Sequence, residues 1–371
     1  MSKARQLAQR TNQSGRKNLI INGAMDVHQR GGTISITNGT GYTLDRFKIG
    51  RGSSYNFDVD VSQSSDAPAD FVNSLKIDVQ ATATPSGSEN ATLEYSIEGQ
   101  DLTHLNYGSS SGKYVVLSFW VKSNKTGTYG CQFKLDSNSR NFTNSYTINS
   151  SNTWEKKTIT INPDTAGAAF ADNNLVGARI IWHLSTGPDD IISGNRDWTA
   201  DASFRSVTGQ VNLLDSTSNE FYITGVQLEV GSAASEFEHR SFGEELALCQ
   251  RYYYMAADGS IDTDEAGLGL CYAHSDGEYR SAIQFPVQMR DIPSLDSPTV
   301  TDGYRFVTGA SSTSTSQVVD SITIAYPNWN NKRRCLITSG TGQPDLNAGG
   351  KSGYFQIYNS TTAYVAFDAE L

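Results

Sequence analysis

The stretch FYITGVQLEVGSAASEFEHRSFGEELALCQRYYY, Phe221–Tyr254, decides the organisation of this chain. Its first ten residues present two faces, one with Tyr222, Val226, Leu228 and Val230 and the other with Phe221, Ile223, Gln227 and Glu229. This mixed pattern predicts a half-buried β-strand. Ser241 is followed three residues later by Glu244, a capping box that predicts a helix beginning at Phe242. A strand, a capped helix and a triple tyrosine in this order predict a junction between two parts of the chain.

Period-two alternation dominates the sequence before this junction. Phe57, Val59 and Val61 alternate with aspartates, the pattern of an antiparallel strand with one face in water. In Tyr114–Val121, YVVLSFWV, nearly every position is apolar, which predicts a central strand buried on both faces. Many such segments, separated by Gly- and Ser-rich turns, predict an all-β fold whose main part is a two-sheet sandwich.

The same patterns set the expected domain boundaries. Residues 1–17 are basic and polar, which predicts either a disordered tail or an arm that docks on an assembly, and residues 18–240 are expected to form the large sandwich. Residues 241–256 form a linker helix with the tyrosine cluster. Short strands return in residues 257–371 and predict a second, smaller β-sandwich-like domain.

Several segments carry a resemblance to known proteins. GVQLEVG, FEHRS and LALCQRYYY within the opening stretch, with NLIINGAMDVHQRG (Asn18–Gly31) and FPVQMRDIPSL (Phe285–Leu295), resemble phage virion proteins of the tail-fibre and related structural kinds. The strand order resembles a jelly-roll module of the carbohydrate-binding kind. In that comparison Leu117–Leu135 resembles the central strand pair and Phe221–Gly231 the closing strand.

The resemblance implies a structural protein of the virion, made in the host cytoplasm and exposed on the particle. It favours a tail fibre that attaches to host surface glycans, with the arm of residues 1–17 bound to other virion proteins. A head or collar decoration protein and a tail-spike glycan depolymerase are alternatives. A carbohydrate-binding module of a secreted cellular enzyme is a further alternative, and the lack of a signal-peptide pattern at the N-terminus counts against it.

Composition narrows the classes of partner. The formal net charge of −10, without a basic stripe, argues against nucleic-acid binding. No apolar run is long enough to predict membrane insertion. The four cysteines lack CxxC spacing and the five histidines stand singly, so neither a metal site nor a cofactor is predicted. Cys131 shares a strand face with apolar residues, which predicts a buried thiol.

The chain is predicted not to be an enzyme. Gly108–Gly112 matches GxSxG, but a strand follows it where a nucleophile elbow requires a helix. Glycoside hydrolysis needs two carboxylates that face each other across a sugar. The dense acidic spots, such as Asp189–Asp190, are consecutive residues that suit solvated loops better.

Exposed aromatic residues are the candidates for glycan binding. Trp198 and Trp329 lie in polar loops, and Trp154 begins a strand after a turn. The alternative for each loop tryptophan is an aromatic ring that plugs its own loop. Trp120 and Trp182 have apolar neighbours and are predicted to lie in the core. Among the histidines, His239 is the exception to an ordinary surface role, with hydrogen bonding at the domain junction expected.

The tyrosine run predicts self-association. Tyr252, Tyr253 and Tyr254 would be adhesive if exposed, so either the sandwich or sister chains around a symmetry axis should cover them. Multivalent display strengthens weak glycan binding, which favours a homotrimer. Leu246 and Leu248 of the predicted helix are then expected near the axis together with the tyrosines.

Overall fold

A computed structural model of the protein describes residues 17–136, 139–201, 203–260, 267–275, 278–308, 315–325, 330–339, 352–358 and 360–371. The chain divides into two compact units between Glu245 and Leu246. The arm of residues 1–17 falls outside the described residues except for Lys17. None of the helices in the described part of the chain combines the length and apolar character that a bilayer crossing requires.

The first unit is built from short strands joined by turns. Its strands are β1 (Thr33–Thr37), β2 (Gly41–Tyr42), β3 (Phe47–Gly52), β4 (Asp58–Ser64), β5 (Ser74–Ala81), β6 (Asn90–Glu98), β7 (Val115–Ser123), β8 (Gly127–Leu135), β9 (Arg140–Ile148), β10 (Glu155–Ile161), β11 (Val176–Thr186), β12 (Ile191–Ile192), β13 (Arg196–Ala200), β14 (Ser206–Val207) and β15 (Glu220–Val230). Short 3-10 helices span Gly99–Asp101, Thr103–Leu105, Pro188–Asp190 and Leu213–Asp215.

Two antiparallel sheets face each other in this unit. Sheet I has the order β1-β4-β5-β15-β7-β10, and sheet II the order β13-β9-β8-β11-β6-β3-β2. β15, the last strand of the unit, lies in the middle of sheet I between β5 and β7. A late strand inserted between early ones closes the sandwich, and the predicted all-β jelly roll is confirmed.

The core between the sheets follows the alternation read from the sequence. Phe57, Val59 and Val61 are all buried in it, as are Cys131 and Trp182. β7 is buried at every position except Trp120, which is half-buried. The prediction of a strand buried on both faces is thus confirmed for β7, except at Trp120, whose side chain is partly exposed.

A bulge in β15 changes which of its side chains face the core. The register with β7 shifts between Thr224 and Gln227, and Gly225 has φ +61°. The bulge adds a residue to one strand, so inward and outward positions exchange beyond it. Phe221 therefore joins the core before the bulge and Val226 after it. The two faces expected for this strand were wrong because they assumed unbroken alternation.

The helix α1 (Phe242–Gln250) begins where the capping box places it. The Glu244 N–H donates to Ser241 Oγ at 3.3 Å, which satisfies one of the amides that the first turn leaves open. Glu244 and Glu245 lie in that turn, where the helix dipole favours negative charge.

The second unit is a smaller β-sandwich-like domain, as predicted. Its strands are β16 (Tyr253–Asp258), β17 (Gly267–Ser275), β18 (Glu278–Gln284), β19 (Ser294–Asp296), β20 (Tyr304–Thr308), β21 (Thr315–Val319), β22 (Thr323–Ile324), β23 (Arg334–Thr338), β24 (Ser352–Ile357) and β25 (Tyr364–Asp368). They form one sheet of order β16-β25-β19 and another of order β21-β20-β24-β17-β18-β23-β22. Its own apolar core includes Phe285, Phe306, Phe355 and Phe367.

Candidate functional site

Trp198 packs inward from its loop. Its ring lies 5.7 Å from the ring of Tyr107 and 5.8 Å from that of Phe142, centroid to centroid, and the indole N–H donates to the Asn162 carbonyl at 2.7 Å. The half-buried side chain adjoins the core of the first unit. This placement favours the alternative of an aromatic residue that plugs its own loop. Trp329 lies outside the described residues.

Trp154 is half-buried and anchors a neighbouring loop. Its indole N–H donates to Asp66 Oδ1 at 3.0 Å, and its ring meets the ring of Tyr222 edge-on at 6.2 Å. Asp66 also pairs with Lys122 of β7, whose hydrogen bond lowers the pKa of the Asp66 carboxyl. These contacts attach Asp66, and with it the loop before β5, to side chains on the outer face of sheet I.

Beside that loop, a pocket of about 600 Å³ lies on the outer face of sheet I. It is lined by Ala69, Asp70, Phe71, Trp120, Lys156, Glu236, Phe237 and His239. Its volume lies in the range of roughly 300–1,000 Å³ that is typical of small-ligand sites, and its lining is half apolar or aromatic and half polar. We call this site the aromatic pocket.

Trp120 forms the floor of the aromatic pocket, and its predicted place in the core was wrong. Phe119 points into the core, so the next side chain on β7 must point out. Across the sheet Trp120 pairs with Thr224 of β15 and with Lys156 of β10. Lys156 is exposed and stands at the edge of the pocket beside the indole.

The bulge in β15 makes room for the aromatic rings above the floor. A Cβ atom added to Gly225 would lie 2.6 Å from Phe71 Cζ and 3.0 Å from Trp120 Cδ1. Both distances are too short for a normal contact. Glycine at this position therefore allows the Phe71 and Trp120 side chains to lie close to the bulge, and its positive φ carries no steric penalty there.

Two short segments supply the walls of the pocket. The first wall, residues 69–71, contributes Phe71. The second wall, residues 236–239, contributes Phe237 and His239. The Phe71 and Phe237 rings lie 5.0 Å apart, and His239 lies 4.9 Å from Phe237. His239 is exposed and packs in this aromatic group, which differs from the junction hydrogen bond expected for it.

Polar side chains of sheet I support the second wall from beneath. The Glu238 N–H donates to Gln227 Oε1 at 2.8 Å, and the Ser235 N–H donates to Glu229 Oε1 at 2.8 Å. Gln227 and Glu229 stand on the outer face of β15, beyond its bulge. The second wall is thus held to the same strand whose bulge shapes the pocket.

The chemistry of the aromatic pocket suits a ligand with a flat apolar face and polar edges. Trp120, Phe71 and Phe237 offer ring surfaces, and such surfaces stack well on the apolar face of a pyranose. Asp70, Glu236 and Lys156 are exposed around the opening and offer charged hydrogen-bonding groups. Among the described residues, no group of three or more His, Cys, Asp or Glu side chains is placed to hold a metal ion.

The residues expected at an oligomer axis divide into two sets. Tyr252 and Tyr253 are 2% and 1% exposed within a single chain, and the Tyr253 hydroxyl donates to Asp296 Oδ2 at 3.2 Å. Tyr254 is half-buried, and so are Leu246 and Leu248. A single chain therefore already covers two of the three tyrosines, which leaves Tyr254 and the helix leucines as candidates. The homotrimer stays a prediction.

No family model matches the chain, and no curated protein matches it. Solved structures that align with it include the enzymatically active domain of tailspike protein 4 of bacteriophage CBA120, at 16% identity and TM-score 0.33. That alignment covers 58% of this chain and 21% of the tailspike chain, so this chain spans about a fifth of that protein's length.

Carbohydrate-binding modules form another group of structural neighbours. A family 4 module aligns at 14% identity and TM-score 0.29, over 57% of this chain and 98% of the module. The family 11 module of a cellulosomal cellulase from Clostridium thermocellum aligns at 13% identity and TM-score 0.27, over 56% of this chain and 98% of the module.

Proposed function

We propose that this protein is a non-enzymatic structural component of a phage virion, similar to a tail fibre, and that it contacts host surface glycans. The glycan binds in the aromatic pocket, stacked on Trp120 between the two walls. The single observation that carries this proposal is a pocket of ligand size floored by an outward indole and rimmed by charged groups. The proposed location is the virion, with residues 1–17 docked to other virion proteins and three chains joined at the helix α1.

The setting in a virion is supported by how the resembling segments fit together. Asn18 opens one of these segments, and its Oδ1 accepts a hydrogen bond from the Leu228 N–H of GVQLEVG at 3.0 Å. Its own backbone N–H donates to Glu238 of FEHRS at 2.7 Å. Three of the five resembling segments, which are far apart in sequence, are thus joined by hydrogen bonds within the first unit, and this supports reading their resemblance together.

The aromatic pocket can be tested by binding to host polysaccharide. Trp120→Ala removes the ring that forms the floor, and the affinity is expected to fall by about ten-fold or more, because burial of an aromatic side chain contributes roughly 1.5–3 kcal/mol. Lys156 is exposed, so Lys156→Ala should weaken binding without a change in melting temperature. Tyr114→Ala is the control, since Tyr114 is an exposed aromatic residue that does not line the pocket.

Two results would change this proposal. Equal binding by wild type, Trp120→Ala and Lys156→Ala would place the glycan elsewhere on the protein. Asp70 and Glu236 both line the pocket, so the depolymerase alternative has one specific test. Release of reducing ends from the polysaccharide, lost in Asp70→Asn or Glu236→Gln, would make the protein an enzyme.

A further inference from the structure

The second wall of the aromatic pocket belongs to a segment with two interleaved sets of side chains. Glu236, Phe237 and His239 line the pocket. Ser235, Glu238 and Arg240 instead bond to the start of the described chain. The side chains of the second set connect residues 17–18 to the segment that lines the pocket.

Lys17 and Asn18 bind the segment through both backbone and side chain. The Glu238 carboxylate accepts hydrogen bonds from the Lys17 N–H at 2.9 Å and from the Asn18 N–H at 2.7 Å. The Lys17 ammonium group donates to Ser235 Oγ and to the Glu236 carbonyl, both at 2.6 Å. The last of these bonds ends on the backbone of a residue that lines the pocket.

Arg240 completes the attachment. Its side chain is 4% exposed and donates to the Asn18 carbonyl at 2.6 Å and to the Ile20 carbonyl at 3.1 Å. The guanidinium also pairs with Glu238 and Glu245 at 3.1 Å. Hydrogen bonds that involve charged groups are stronger than neutral ones, particularly when they are shielded from water.

Asn18 ties the attachment to the strand under the pocket. Its side chain is almost completely buried and donates from Nδ2 to the Val226 carbonyl at 3.0 Å. Val226 directly follows Gly225, the bulge residue that accommodates Phe71 and Trp120. Burial raises the pKa of Glu238, but the amides of Asn18 and Lys17 and the charge of Arg240 outweigh it and lower the pKa overall, which keeps the carboxylate ionised as an acceptor.

We infer that Lys17 and Asn18 are positioning residues for the aromatic pocket: their docking on Ser235 and Glu238 holds the second wall where a ligand meets it. Docking of residues 17–18 and occupancy of the pocket are then coupled, each favouring the other by the same factor. Because Lys17 is the last residue of the arm predicted to attach to the virion, attachment of that arm acts on the same hydrogen bonds. The coupling rests on the proposed function, because its ligand is the proposed glycan. The positioning of the second wall by Lys17 and Asn18 does not depend on any ligand.

Hydrogen exchange of the intact protein tests the positioning without any ligand. Lys17→Met removes the ammonium donor and keeps the aliphatic stem. The exchange rates of the Ser235 and Glu238 amides should then rise about five-fold, because the net contribution of one hydrogen bond corresponds to about that factor in the opening equilibrium. Lys113→Met is the matched control at an exposed lysine that does not line the pocket, and Lys17→Arg should restore protection. Melting temperatures of all three variants should match wild type, which separates local positioning from global stability.

Binding to host polysaccharide tests the coupling. Lys17→Met should bind about five-fold more weakly than wild type, and Ser235→Ala, which removes the acceptor, should repeat the effect. Unchanged exchange in Lys17→Met overturns the positioning role even where Trp120→Ala abolishes binding. Faster exchange with unchanged affinity overturns the coupling. Faster exchange in a protein that binds no glycan at all supports the positioning role and overturns the proposed function instead.

Discussion

Replacing Gly225 by alanine tests whether the bulge in β15 shapes the aromatic pocket. Gly225 has φ +61°, a conformation in which an L-residue such as alanine is destabilised by about 1–2 kcal/mol. The added methyl group would also lie 2.6 Å from Phe71 Cζ and 3.0 Å from Trp120 Cδ1. Forcing extra volume into a packed site destabilises proteins by about 1–3 kcal/mol. The expected total is therefore about 2–5 kcal/mol, together with weaker glycan binding as the rings are displaced.

Gly194→Ala separates the two contributions. Gly194 has a similar φ of +66°, and a Cβ atom there meets nothing within 4 Å, so this variant carries the backbone penalty alone. Calorimetry of the first unit should show a lower melting temperature for Gly225→Ala than for Gly194→Ala, at roughly 2–4 °C per kcal/mol of difference. Equal melting temperatures with equal glycan binding would refute the reasoning, because Phe71 and Trp120 would then move aside without penalty.

Three further outcomes are expected. Trp198→Ala should lower the stability of the first unit by about 3 kcal/mol and leave glycan binding intact, since the ring packs inward. A variant of unchanged stability that binds glycan more weakly would instead identify Trp198 as a glycan-binding residue. Burial lowers the pKa of His183 from 6.5 to about 3. Between these values the unfolded chain binds a proton that the folded chain does not, so stability falls as the pH falls, by up to about 1.4 kcal/mol per unit and by about 1.6 kcal/mol from pH 6.5 to 5. Denaturant titrations at several pH values should show this dependence reduced in His183→Gln and retained in His239→Gln, and equal slopes would contradict it. Leu248→Asp should leave monomers in light scattering if α1 lines a trimer axis, and persistent trimers would move the axis elsewhere.

The fold could be predicted because its signals are local. Alternation at Phe57, Val59 and Val61 reports a strand with a core face whatever the strand pairs with. The capping box at Ser241 likewise depends on four consecutive residues. The faces of β15 could not be predicted, because a bulge at Gly225 is specified by its neighbours across the sheet and by the rings above it.

The pocket was harder to predict because its parts are distant in sequence. Trp120 has apolar residues on both sides, and local sequence does not distinguish the core face of such a strand from a covered outer face. For Trp198 the reverse holds. Its polar neighbours in the loop predict an exposed ring, whereas its indole points inward. In the FEHRS segment both His239 and Phe237 line the pocket, but the sequence singles out only His239, because a phenylalanine is not by itself a signal of a site.

The interleaving of side chains from Ser235 to Arg240 has a consequence for how such a protein can diversify. Residues 236, 237 and 239 line the aromatic pocket, whereas the side chains of residues 235, 238 and 240 hold the segment in place. Substitutions at positions 236, 237 and 239 can therefore change the proposed ligand preference while the rest of the segment stays the same. If the protein binds host surface glycans as proposed, it can adapt to a changed glycan by substitutions at three of these six positions and keep the other three.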